Sequence, residues 1–190
     1  MMLGKNAEAE GHFLQLLEPV RRRFGPDTAQ PTLTAMTLLY LRQGKLSLAE
    51  DYGAQALTAC RHLYGRENQL TMWSAAMLAL AHQDAGKFTE AESLAREALA
   101  FYGKKQPDDW RRYYVEFLVS TSLAGQKKFD EAEPLLVRGY QGMVARRERI
   151  DAPDLYYFDR VHQSGAELYR AWGKEDKAAE WARATRPITP

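Results

Sequence analysis

The sequence is poor in several things, and each shortage removes a class of function. Its 190 residues hold one cysteine, Cys60, so neither an intrachain disulfide framework nor a multi-thiolate metal site can be built. Neither sign of charge dominates. Lys and Arg total 26 against 25 Asp and Glu, a formal net charge of +1, and no bulk field draws in nucleic acid or an acidic membrane surface. Apolar runs are short: the longest mostly apolar window, Met72 to His82, cannot span a bilayer and is interrupted by Ser74. The opening residues MMLGKNAEAEGHF lack the apolar core of a signal peptide. No segment alternates apolar and polar residues as a half-buried strand would. The expectation is a soluble, cytoplasmic, all-helical chain without cofactor or metal.

What is present is a repeat. Gly44-Lys45-Leu46-Ser47-Leu48-Ala49-Glu50 returns as Gly86-Lys87-Phe88-Thr89-Glu90-Ala91-Glu92, 42 positions on (86 − 44). Lys127-Lys128-Phe129-Asp130-Glu131-Ala132-Glu133 and Gly173-Lys174-Glu175-Asp176-Lys177-Ala178-Ala179 continue the series, and Gly4-Lys5-Asn6-Ala7-Glu8-Ala9-Glu10 precedes it. Before each marker the apolar residues fall at helical spacing, as in Leu33, Met36, Thr37 and Tyr40. After each marker small residues recur: Ala49, Gly53 and Ala56, then Ala91, Ala95 and Ala98. Gly44, Gly86 and Gly173 stand where a helix end favours a left-handed residue. Pro26-Asp27, Pro107-Asp108 and Pro153-Asp154 precede later helices and offer Asp as a cap. The predicted organisation is one array: an orphan helix over 5–24, then helix pairs over 29–64, 68–103, 108–148 and 153–186, about nine helices in all.

These residues resemble the tetratricopeptide repeat. Ala79, His82, Gly86, Phe88, Ala91, Ala95 and Ala98 fit its motif, as do Tyr40, Gly44, Leu46, Ala49, Gly53 and Ala56. Ser120, Leu123, Phe129, Ala132, Leu136 and Gly139 fit it more loosely, and Ala166, Tyr169, Gly173, Ala178 and Ala182 supply a fourth copy. A period near 42, against the usual ~34, is similar to the longer-helix variant of kinesin light chains. The resemblance implies a right-handed α-solenoid of antiparallel helix pairs. A second, narrower likeness covers Glu131 to Tyr140 and Tyr169 to Lys174, which resemble the C-terminal repeat tails of bacterial serine/threonine protein kinases. No Gly-rich ATP loop and no HRD/DFG pair is present, so the chain contains no kinase domain.

No chemistry emerges from the polar residues. Gly86-Lys87 is not a phosphate loop, because GxxxxGK[ST] needs a glycine where Ala81 stands and a hydroxyl where Phe88 stands. His12, His62, His82 and His162 form no ligand spacing, and His82 occupies a position the motif gives to an aromatic. Cys60 lies beside Arg61 and His62, neighbours that could lower a thiol pKa. Arg21-Arg22-Arg23 and Arg146-Arg147 read as solvated helix ends, and Asp108-Asp109 as a helix start. Non-catalytic protein binding remains.

In a stacked array the first helix of each pair lines the concave face. The repeat register then points Trp73, Met77, Leu80 and Gln83 inward from the second pair. Tyr114, Phe117 and Thr121 point inward from the third, and Gln163 and Arg170 from the fourth. Such a face, apolar and aromatic in its middle, suits a peptide or partner with large apolar anchors. The same stripe at helical spacing is also what a core would show. The paired asparagines with which kinesin-light-chain-like repeats hold a peptide backbone are absent: Ala76-Met77 and Phe117-Leu118 stand in two of the equivalent places. The alternative role is that of a regulatory or self-associating tail of a bacterial signalling enzyme. Its partner would be an attached kinase domain or a second copy, met through Phe13 and Leu17 on the flank of the orphan helix.

Overall fold

The computed structural model describes residues 2–184. Among these are nine α-helices and no strand. In chain order they are α1 (Met2–Phe24), α2 (Gln30–Gln43), α3 (Leu46–Tyr64), α4 (Gln69–Asp84) and α5 (Phe88–Lys105). They continue with α6 (Trp110–Gly125), α7 (Phe129–Val144), α8 (Leu155–Ala171) and α9 (Glu175–Ala184). The orphan helix starts at Met2 rather than 5, so the first sequence marker runs inside a helix. The expected bound at 186 lies outside the described residues.

The chain divides into two compact units, Met1–Glu97 and Ala98–Pro190, with the division inside α5. In the first, α1 packs on α2, α2 on α3 and α3 on α4. In the second, α6 packs on α7, α8 on α9, and α8 meets both α6 and α7.

One turn geometry joins the helices of each pair. Gly44, Gly86 and Gly173 have φ of +69°, +76° and +76°. Each glycine N–H bonds three residues back, and the following lysine N–H bonds five back, as in Lys45 to the Tyr40 carbonyl (3.0 Å) and Lys87 to that of His82 (2.8 Å). These are the paired bonds that satisfy carbonyls left over at a helix end. In the third copy Lys127 takes the glycine's place and the same conformation, φ +64°, at the steric cost of a Cβ.

The small residues of the second helices are core. Ala49, Ala91, Ala95, Ala98 and Ala132 are wholly buried, whereas Ala182, expected to match them, is exposed. Glycine takes the same role further where contact is closest. A Cβ on Gly139 would lie 2.8 Å from the Tyr113 carbonyl oxygen, and one on Gly165 would lie 2.2 Å from the Trp181 ring. Side chains cap two of the helix starts. Asn68 accepts the Leu70 N–H and Asp109 accepts that of Arg111, both at 2.8 Å. Asp27 and Asp154, expected as caps, make no such bond because each sits in a 3-10 turn that supplies backbone partners instead. On α1, Leu17 is buried and Phe13 half-buried, whereas Leu14 and Leu16 are exposed.

Candidate functional site

Several candidate chemistries are absorbed by the fold. The Gly86-Lys87 turn holds its lysine against Glu50, with Nζ 2.7 Å from Oε1. His82 Nδ1 lies 2.7 Å from the same carboxylate, so the half-buried ring is held by a hydrogen bond. Burial of Glu50 raises its pKa, but Lys87 and His82 outweigh this and leave the carboxyl below its ordinary value. Cys60 is fully buried, 3.2 Å from the Ser74 hydroxyl, and burial pushes the thiol up. The lowered thiol suggested by Arg61 and His62 does not arise, because both side chains turn away: Arg61 to Glu97 and His62 toward Asp27. No group of His, Cys, Asp and Glu among the described residues is placed to hold a metal ion. No helix among them is long and apolar enough to cross a membrane.

Members of both basic runs are likewise engaged, Arg21 with Glu18 and Gln55 in the first. Arg146 lies 4.2 Å from the centre of the Tyr113 ring and donates to the Asp108 carbonyl at 3.0 Å. Its neighbour Arg149 grips the Asp108 carboxylate. Arg149, with Arg146, holds that carboxyl below its ordinary value. The Asp108-Asp109 pair therefore splits its work, one residue anchoring the arginines and the other capping α6.

The first helices of the pairs differ in what they leave accessible. On α4, Met77 and Leu80 are core, Gln83 is buried, and Trp73 is half-buried. Small residues on α4 let its neighbours close in; Ala75 and Leu78 form one cluster with Leu57, against which Leu94 packs. On the polar side, Thr71 Oγ1 donates to the Gly65 carbonyl at 2.7 Å. On α6, Tyr114 and Phe117 are also core, at 0% and 1% exposure. The reason comes from later in the chain. The Tyr157 ring of α8 stands 4.9 Å from that of Tyr114 and 6.1 Å from Trp110, and Tyr114 in turn lies 5.8 Å from Phe117. Gly139 lets α7 close on the backbone of Phe117 from the other side. Of the α6 trio only Thr121 is half-exposed, and its hydroxyl turns back to the carbonyls of Phe117 and Leu118.

Helix α8 is built differently. Tyr157, Phe158, Val161, Gly165, Leu168 and Tyr169 are buried. The opposite face carries Tyr156, Arg160, Gln163, Glu167 and Arg170 at successive steps of four, three, four and three residues, one straight stripe on a helix. Gln163, Glu167 and Arg170 are exposed, and Tyr156 and Arg160 half-exposed. Arg160 Nη1 lies 3.3 Å from the Tyr156 hydroxyl. Gln163 and Arg170, which the repeat register pointed inward, share this face with Tyr156, which precedes the motif and lies close to the predicted start of its helix.

Residues 31–104 match the model of the tetratricopeptide repeat family. No curated protein matches the chain. Among solved structures, BtubC (BKLC) from P. vanneervenii aligns with a TM-score of 0.69 at 19% identity, over 96% of this chain and 72% of that one. Two structures of a kinesin-light-chain-like protein with nearly identical TPR-like repeats, from Podosopora anserina, also align over 96% of this chain. Their TM-scores are 0.72 and 0.70, at 16% and 18% identity, over 86% and 88% of those chains. The likeness is one of fold: an all-α chain of antiparallel helix pairs, the α-solenoid class.

Proposed function

We propose that the chain is a non-catalytic interaction module that binds a peptide or partner protein along the first helices of its pairs. Tetratricopeptide repeats mediate protein–protein interaction. The observation that carries the reading is the α8 stripe, where Gln163, Glu167 and Arg170 are exposed polar groups spaced along one helix face. Trp73 and Thr121, both half-exposed, extend the contact set on other first helices. Met77, Leu80, Gln83, Tyr114 and Phe117 support these helices from beneath. The partner is therefore read less by deep apolar anchors than by hydrogen bonds and charge, with the half-exposed rings of Trp73 and Tyr156 as aromatic contacts.

Selection of a displayed random-peptide library on the whole chain tests this. Enriched peptides should lose binding to the Gln163→Ala/Arg170→Ala and Trp73→Ala variants while the melting temperatures stay close to that of the parent. Peptides that bind all variants equally would overturn the assignment.

A second reading draws on α1. Leu14 and Leu16 are 46% and 54% exposed on one helix, apolar surface of the kind that a regulatory tail would press against an attached enzyme or a second copy. Sedimentation across a concentration series separates the two. Concentration-dependent dimers abolished by Leu14→Asp/Leu16→Asp favour this reading, and a strict monomer that captures peptides favours the first.

A further inference from the structure

Three junctions between successive helices repeat one glutamate-to-ring contact with a lysine beside it, the lysine following the turn glycine in two of them and standing on α9 in the third. Glu10 of α1 lies 3.3 Å from the Tyr40 hydroxyl of α2 and 2.8 Å from Lys45 Nζ. Glu50 of α3 lies 2.7 Å from His82 Nδ1 of α4 and 2.7 Å from Lys87 Nζ. Glu133 of α7 accepts from the Tyr169 hydroxyl of α8 at 3.1 Å and from Lys177. The glutamate always closes a seven-residue marker, and the ring always stands four residues before the next turn glycine. The ring residue's own carbonyl accepts the N–H that follows that glycine, at 3.0, 2.8 and 2.9 Å in the three cases. One side chain thus grips the end of the next pair's first helix from the helix that precedes it.

The carboxylates are well covered, at 23%, 16% and 25% side-chain exposure, so each is shielded from the water that weakens surface ion pairs. In two copies the lysine also lies beside the ring, 5.5 Å from the centre of Tyr40 and 5.7 Å from that of Tyr169. Burial first, and then the facing glutamate, push both phenols up to about 12, which keeps the hydroxyls as donors.

We propose that this glutamate is the coupling element between consecutive helix pairs, transmitting order in one second helix to the closing turn of the next pair. Hydrophobic packing brings the helices together but is nearly indifferent to sliding. The clasp is directional, because it joins one carboxylate to a ring in the last turn of a helix. The third pair carries Leu123 at the ring position and has no polar ring tip to offer; α9 carries Ala179 where the other copies have glutamate.

Hydrogen exchange on the whole chain, resolved by residue, tests the proposal. Glu50→Gln should speed exchange of the Gly86 and Lys87 amides about fivefold, and Glu10→Gln that of Gly44 and Lys45, each leaving the Gly173 turn unchanged. Glu133→Gln should do the converse. Tyr40→Phe and Tyr169→Phe remove one arm while keeping the ring packed, so they report even if a glutamate variant folds poorly. Their effects should be less than additive with loss of the matching glutamate. Exchange that changes less than about twofold at the gripped turn, or rises equally at every turn, would overturn the proposal.

Discussion

Helices α4 and α8 hold the same place in their pairs, yet one is core nearly all round and the other is cleanly two-faced. Along α4 the run from Ser74 to Ala81 is buried without a break, and its side chains are mostly Ala, Leu and Met. Along α8 apolar and polar residues separate onto opposite faces, with Gly165 admitting the Trp181 ring beneath and Arg170 standing in water above. Position in a repeat therefore does not determine what a residue does. The number of neighbours its helix gathers determines that, and a shared motif can be packed nearly all round in one copy and leave a polar face in solvent in another.

Substitutions can break or sharpen that contrast. The largest expected effect is on the buried side of it: Tyr114→Ala should lower unfolding free energy by about 3–5 kcal/mol in a denaturant titration. Arg170→Ala should change it by less than about 0.5 kcal/mol. Equal effects would erase the distinction between the helices. Next, Gly165→Ala should cost about 1–3 kcal/mol because the added methyl collides with Trp181, outweighing alanine's better helix propensity. A neutral result would mean that α8 and α9 meet less closely than described.

Acid acts on both helices through the carboxylates that hold their ends. Glu10, Glu50 and Glu133 have folded pKa values below the ordinary 4.5. Their contribution is complete above that value and is lost as pH falls through the lower folded values. The melting temperature should hold level from neutral pH to about 5 and then decline, and the decline should soften in the Glu50→Gln/Glu133→Gln double variant. One substitution should bring a small gain. Lys127→Gly relieves the positive φ of the third turn and should add about 0.5–1 kcal/mol, where Gly86→Ala should remove about 1.

The sequence made the helix pairs legible because their signals are local. A glycine after a helical run, a lysine beyond it and small residues four apart are each read within a dozen positions. The surface was less legible for the opposite reason. Whether Tyr114 faces a partner or the interior depends on Tyr157, which arrives from another helix, and nothing around residue 114 announces it. The exposure of Gln163 and Arg170 was legible because the polar face of α8 is continuous in the sequence itself. The caps show the same division: Pro-Asp pairs drew notice at the helix starts, while Asn68, with no proline before it, does the capping at α4.

The glycine beneath Trp181 has an optical consequence. The indole is 8% exposed, donates Nε1–H to the His162 carbonyl at 2.9 Å and is ringed by Tyr140 and Tyr169. Its emission should be blue-shifted while α9 lies against α8, and should move to the red when the two separate. The last helix pair thus carries an intrinsic fluorophore at its seam, and with Trp73, Trp110 and Trp172 replaced by phenylalanine its opening can be followed without an added label.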